Sequence, residues 1–231
     1  YSFTVVATDA AGNASEQAVS LTINDLDEVA PTVTSGATAT AIDENSGADQ
    51  VVYAATATDS GDTSAGVTLS LSGTDADKFS FDAATGEVTL LANANYEAQP
   101  SYSFKIVASD GVTTPTEKTV TLTVTNLDEA APTITSGATA TARNENSGAG
   151  QVVYTATSTD AGDIATGVTS YSLKAANADD AAAFTVNTST GAVTLTGNPD
   201  HETQSSYSFT VVATDAAGNA SEQAVSLTIN D

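Results

Sequence analysis

Internal repetition constrains this chain more than any other feature. Tyr1 to Asp25 reads YSFTVVATDAAGNASEQAVSLTIND, and Tyr207 to Asp231 repeats it letter for letter. A looser copy, YSFKIVASDGVTTPTEKTVTLTVTN, runs from Tyr102 to Asn126. The offsets are 102 − 1 = 101 and 207 − 102 = 105 residues. Pro31 and Pro132, Glu44 and Glu145, and Asp59 and Asp160 keep the first spacing; Gly86 and Gly191 keep the second. Four extra residues therefore lie between Thr169 and Phe184 and read as a longer surface loop. A period near one hundred residues is the size of a small domain. The chain divides on this reading into the last two strands of a truncated repeat (1–25) and two whole repeats (26–126 and 127–231). A start inside a repeat is expected of a segment cut from a longer array.

Within a repeat the local signal is β. Tyr1, Phe3, Val5 and Ala7 alternate with Ser2, Thr4, Val6 and Thr8, the two-residue period of a half-buried strand. Val19, Leu21 and Ile23 repeat the pattern across the turn Asp9-Ala-Ala-Gly12-Asn13. Further strands are expected over 31–34, 51–58, 67–71, 78–81 and 87–91. Asp82–Gly86 and Asn187–Gly191 read as hairpin turns, and Asp179–Ala183 supports at most one helical turn. Many Thr and Val suit strands. About seven short strands per hundred residues predict an all-β sandwich of two sheets.

Charge narrows the function. There are 29 Asp and Glu against 5 Lys and Arg, a formal net charge of −24. So few cations cannot line a groove for nucleic acid. The absence of Cys excludes disulfides and thiolate metal sites. No apolar run reaches the roughly 18 residues of a membrane helix, so contact with a membrane is expected only through parts outside this chain.

The acids are not scattered evenly. Asp25-Leu-Asp27-Glu28 and Asn126-Leu-Asp128-Glu129 precede a Pro that opens the next repeat. Each repeat then carries Glu44 or Glu145, followed by Asp59 with Asp62 or Asp160 with Asp163. Asn95 with Glu97, or Asp200 with Glu202, comes next, and Asp9, Asp110 and Asp215 open the final turns. Solubility does not require acids at repeated positions, whereas Ca²⁺ takes six to eight oxygens of this kind. The other acids (Glu16, Asp43, Asp49, Asp75, Asp77, Asp82, Glu87, Glu117, Asp179, Asp180 and Glu222) read as solvated charge.

In their order, these motifs resemble tandem cadherin-like repeats of the kind found in giant bacterial surface adhesins, the RTX-adhesin-type extenders. The likeness spans the whole chain. It implies Ig-like seven-strand Greek-key sandwiches in an elongated rod at the cell surface, with Ca²⁺ as cofactor at the joints. The family geometry would gather Glu44, Glu97, Asn126, Asp128, Glu129, Asp160, Asp163 and Asp215 at one joint. A second joint would gather Asp25, Asp27, Glu28, Asp59, Asp62 and Asp110. Glu145, Asp200, Glu202 and Asp9 hold the same positions in the outer repeats. The family's Asp-x-Asp is stretched here to Asp-x-x-Asp, and Asn95 and Asn126 replace acids. Roughly one or two cations per joint are therefore expected.

Three functions compete. A calcium-stiffened spacer in a large surface fibre leads, with neighbouring repeats as its partners. Direct adhesion, homophilic or to carbohydrate, is the alternative. Sugar faces usually need exposed aromatics, and Tyr1, Tyr102 and Tyr207 read as core, Tyr53 and Tyr154 as edge. No enzyme is expected, because the acid pairs are taken up by the repeated joints and His201, the only His, reads as an exposed loop residue. The apolar hairpin 1–25 raises a further expectation: self-association or strand exchange through that segment.

Overall fold

A computed structural model describes residues 1–61, 66–164, 169–175 and 179–231. Asp62, an expected ligand, lies outside the described residues. Among the described residues the chain is all-β apart from two single 3-10 turns, and it divides into two compact units, Tyr1–Asn126 and Leu127–Asp231.

The first unit begins with β1 (Ser2–Thr8) and β2 (Ala14–Ser20), an antiparallel hairpin that joins no other strand among the described residues. Nine strands follow: β3 (Thr32–Val33), β4 (Ile42–Asp43), β5 (Gln50–Ala54), β6 (Ala57–Thr58), β7 (Thr68–Ser72), β8 (Phe79–Phe81), β9 (Glu87–Leu90), β10 (Ser101–Ser109) and β11 (Thr116–Thr125). They form sheets in the orders β4-β11-β10-β7, β5-β9-β8 and β3-β6. Strand β4 runs parallel to β11, as does the isolated bridge of Thr38 with Thr121. The second unit repeats the plan with β12 (Thr133–Ile134), β13 (Arg143–Asn144), β14 (Gln151–Thr155), β15 (Ser158–Thr159), β16 (Ser170–Leu173), β17 (Phe184–Val186), β18 (Ala192–Leu195), β19 (Ser206–Thr214) and β20 (Ala220–Asn230).

Alternation places the core. Tyr102, Phe104, Ile106 and Ala108 of β10 point inward with Val120, Leu122 and Val124 of β11. They meet Val52, Tyr53, Phe79, Val88 and Leu90 of the facing sheet in one apolar cluster. Burying each such side chain contributes about 1.5–3 kcal/mol. With no Trp, one Phe per repeat carries the centre. Phe104 meets Phe79 at 4.8 Å and Tyr53 at 5.8 Å between ring centroids. Phe209 meets Phe184 at 4.5 Å and Tyr154 at 5.9 Å.

Several expectations change. The strand expected over 51–58 is two strands in two sheets, β5 on β9 and β6 on β3. The chain crosses over at Ala55-Thr56, where the Ala55 amide donates to the Gly86 carbonyl at 2.7 Å and Thr56 accepts from Thr34. A Cβ on Gly86, whose φ is +78°, would stand 2.2 Å from the Ala55 oxygen, so this close approach needs glycine. Strands β4 and β13 are two residues long, too short to register as periodicity. Tyr53 and Tyr154 are buried, not at an edge, and their hydroxyls donate to the carbonyls of Gly36 and Gly137. Tyr1 is exposed where core was expected, and Tyr207 is half-buried.

The four extra residues are split. Tyr171 faces Ala213 where Leu69 faces Ala108. Those offsets are 171 − 69 = 102 and 213 − 108 = 105, so one residue enters before β16 and three after it. The 3-10 turn at Ala181–Ala183 falls within the expected helical cluster and matches Ala76–Lys78 in the first unit.

Candidate metal centres

Each unit brings carboxylates together at both ends. In the first unit Asp27 precedes β3, Asp59 follows β6 and Asp110 follows β10, and their carboxylate oxygens lie within 4.8 Å of one another. In the second unit Asp128, Asp160 and Asp215 hold the corresponding places at the same spacing. Toward the other end of β10, Glu44 and Glu97 approach within that distance, and in the second unit Glu145 meets Asp200 and Glu202. The strand between, nine residues long, separates the two ends by about 30 Å.

The backbone aims these groups. Glu44 is fully buried, and its Oε2 accepts from the Tyr96 amide at 2.8 Å. Glu145 repeats this with the His201 amide at 3.2 Å. Asp110 Oδ1 accepts from the amides of Val112 and Thr113, and its Oδ2 from the Thr113 hydroxyl. Asp215 Oδ1 accepts from the amides of Gly218 and Asn219 at 2.7 and 2.9 Å. Its Oδ2 is buried and receives no hydrogen bond, and the Asn219 side-chain amide donates to the Asp128 carbonyl at 2.8 Å.

The electrostatics follow from this crowding. Burial, and then the charges of Asp128 and Asp215, hold the Asp160 carboxyl above the usual aspartate range. Burial raises Asp215 as well, but donors from Asn219 and Gly218 outweigh it and hold that carboxyl low. Donation from the Thr113 hydroxyl lowers Asp110, and the Thr203 amide lowers Asp200. The His201 amide lowers Glu145, yet the adjacent Glu202 carboxyl and burial outweigh it and leave Glu145 raised.

A cation is tested by orphaned oxygens. Both oxygens of Asp27, Oδ2 of Asp160 and Oδ2 of Asp215 are buried without a hydrogen-bond donor. An unpaired buried anion is costly, so such groups normally pair or coordinate a metal. Oxygens on opposite sides of a Ca²⁺ stand about 4.6–5.2 Å apart, from Ca–O distances of about 2.3–2.6 Å. The two aspartate trios fit that spacing and offer only hard oxygen ligands.

Asp163 and Asn126 are half-buried, and Asp163 stands outside the trio of its unit. Asp25, Glu28 and Glu129 are exposed. Asp9 sits at an exposed hairpin tip, where Asn13 donates to both of its oxygens. Two acids read as solvated charge are structural. Asp75 accepts from the Gln99 side chain and the Ser103 amide, and Asp180 accepts from Gln204 and Ser208 in the same way. His201 is half-buried beside Glu202 and Asp231, not an exposed loop residue. Sequence reasoning missed Asn219; the turn Asp-x-x-x-Asn was visible, but not that its amide leaves the aspartate.

Known proteins share this fold. The profile described as "Cadherin domain" matches residues 38–125 and 139–230. Human Protocadherin Fat 4 is 34% identical over 149 residues, covering 63% of this chain and 3% of that protein. Chicken Protocadherin-15 is 30% identical over 145 residues, covering 63% of this chain and 8% of its own length. The chain thus spans a small fraction of these animal relatives. Among solved structures, mouse Cadherin-23 EC22-24 superposes with TM-score 0.62 at 24% identity, covering all of this chain and 74% of that one. Human Protocadherin-24 EC1-2 gives 0.64 at 22% identity over 88% of this chain and 98% of that one. Both show the same fold. Two profile matches, over residues 38–125 and 139–230, make this chain a member of the cadherin family.

Proposed function

We propose that this chain is a calcium-rigidified repetitive spacer, an extender segment of a large extracellular bacterial adhesin or surface fibre. The observation that carries the reading is the aspartate trio Asp128, Asp160 and Asp215, with buried oxygens on Asp160 and Asp215 that no donor serves. Its counterpart is Asp27, Asp59 and Asp110. Ca²⁺ binds these trios, and the glutamates at the other end of a preceding repeat complete its shell. About six residues link consecutive repeats, so a cation shared across them fixes the angle between neighbours. Asp25, Glu28, Asp62, Asn126, Glu129 and Asp163 are auxiliary ligands on this reading. Glu145, Asp200 and Glu202 serve the next joint.

Membership of a structural adhesion family favours a structural role over an enzymatic one. Direct carbohydrate adhesion is less favoured. Among the described residues the exposed aromatics are Tyr1 and Phe3; the others are buried or half-buried. The bacterial setting rests on the resemblance of the repeated motifs to adhesin extenders, whereas the relatives matched are animal proteins.

Small-angle scattering and thermal melting, with Ca²⁺ and with chelator, test the reading. A longer, stiffer particle and a higher melting temperature in Ca²⁺ are expected. Site occupancy at a hundredfold excess over the dissociation constant stabilises by about 2.7 kcal/mol. Identical length and melting temperature in both conditions overturn it.

A further inference from the structure

Both carboxylate oxygens of Asp27 are buried without a donor, within 4.8 Å of the carboxylates of Asp59 and Asp110. Like charges this close repel, so the segment carrying Asp27 needs a hold of its own. Two contacts among the described residues supply it. The Thr116 hydroxyl donates to the Pro31 carbonyl at 2.6 Å. Nearer the carboxylate, the Val29 side chain fills the space where a side chain of Gly61 would stand. A Cβ on Gly61 would lie 2.9, 3.2 and 3.3 Å from Val29 Cγ1, Cγ2 and Cβ. Gly61 is outside the left-handed region, so the place of Val29, and not the backbone, calls for glycine here. Val29 follows Asp27 by two residues, and Gly61 follows Asp59 by two. The second unit repeats both contacts. The Ser221 hydroxyl donates to the Pro132 carbonyl, and a Cβ on Gly162 would lie 3.0 Å from the Ala130 Cβ. Ala130 and Gly162 follow Asp128 and Asp160 by the same two residues.

We propose that Gly61 and Gly162 are positioning residues for the two aspartate trios, an assignment that rests on the trios being Ca²⁺ sites. Each glycine leaves a seat for the side chain at position 29 or 130. The seated side chain presets Asp27 or Asp128 beside the other two carboxylates before the cation arrives. A ligand held in place beforehand loses less freedom on binding, so affinity rises with the seating. Alanine at either glycine pushes the seated segment outward and carries its aspartate away from the trio.

The chain has no Cys, so Val29→Cys/Gly61→Cys in the full chain makes a single reversible lock. The Val29 Cβ lies 3.3 Å from the Cβ position of Gly61, close to the roughly 3.5–4.5 Å of a disulfide. The disulfide is expected to form in chelator, because the segment is seated without metal. Calorimetric titration with Ca²⁺ then compares the two redox states, in an Asp215→Asn background that silences the second trio. The oxidised form is expected to bind at least as tightly as its parent, and the reduced form about tenfold more weakly. Gly61→Ala is expected to raise Kd by about the same factor, with β circular dichroism and melting in chelator unchanged. Gly162→Ala should do likewise at the second trio, read with Asp110→Asn. Failure of the disulfide in chelator, or equal Kd in the two redox states, overturns the proposal. So does a Gly61→Ala chain that melts lower in chelator at unchanged Kd, the mark of a purely structural glycine. A wild type that binds no Ca²⁺ overturns the calcium reading and this assignment together, and a disulfide that still forms in chelator tells that failure from an unseated segment.

Discussion

Two segments of this molecule, Tyr1–Asp25 and Tyr207–Asp231, share every residue and differ in everything that neighbours supply. Both make the same seven register pairs. One leaves Phe3 half in water, and the other seals Phe209 in the core. Strand β2 ends at Ser20, whereas β20 runs four residues further, to Asn230. The extension exists because Ser205 and Ser206 offer partners on one side and β13 pairs on the other. The turn aspartate changes as well. Asn13 satisfies both oxygens of Asp9, while Asn219 turns to Asp128 and leaves one oxygen of Asp215 without a donor. Residues far along the chain thus turn a self-satisfied turn aspartate into one of three clustered carboxylates.

The largest test of this contrast is one substitution made twice. Phe209→Ala removes the centre of an aromatic cluster and is expected to cost about 3–5 kcal/mol, as large-to-small core changes do. Phe3→Ala is expected to fall within about 0.5 kcal/mol of wild type, as exposed changes do. Urea unfolding followed at the second unit measures both, and similar losses would erase the distinction.

Next in size is the metal effect. Asp215→Asn should abolish most of the Ca²⁺-dependent rise in melting temperature at the second trio, a term of about 2.7 kcal/mol per site at hundredfold excess. Asp9→Asn should leave the rise intact. Calorimetric titration with Ca²⁺ separates them, and equal losses would place Asp9 in a site too.

The turn glycines should behave alike. Gly12 and Gly218 have φ of +91° and +98°, and a Cβ on either meets nothing within 4 Å. Alanine at either position is expected to cost only the local backbone strain, roughly 1–2 kcal/mol. Gly191→Ala should cost more, since its Cβ would lie 2.3 Å from the Ala156 oxygen. Melting of the three variants orders them.

Acid gives the smallest effect. Asp160 is raised, so without metal the folded state holds a proton that the unfolded chain releases. In chelator, this group's contribution favours folding below the ordinary aspartate range and is lost as pH rises through the raised value. With Ca²⁺ the trend inverts, because protons compete with the cation. Melting curves against pH for wild type and Asp160→Asn check the sign: the variant should lose the slope in chelator.

Much of this was legible in the sequence because it is local or periodic. The hairpins follow from two-residue alternation, the turns at Asp82 and Asn187 from Asx chemistry, and the grouped acids from their recurrence. Other features were hidden because they depend on partners far along the chain. The split of 51–58 needs Gly86 against Ala55, and the two-residue strand β4 exists only against Val124 and Thr125. Asp75 looked solvated because Gln99 and Ser103, its donors, lie more than twenty residues away.

The identical segments draw the line between the two kinds of information. Twenty-five residues determine their own strand alternation, their turn and their pairing, since these rest on φ/ψ preferences and on hydrogen bonds closed within the segment. They do not determine which face is dry, where the second strand ends, or whether the turn aspartate keeps a buried oxygen without a donor. Those were decided by the tertiary structure, because burial, sheet extension and charge crowding need atoms that the segment does not contain.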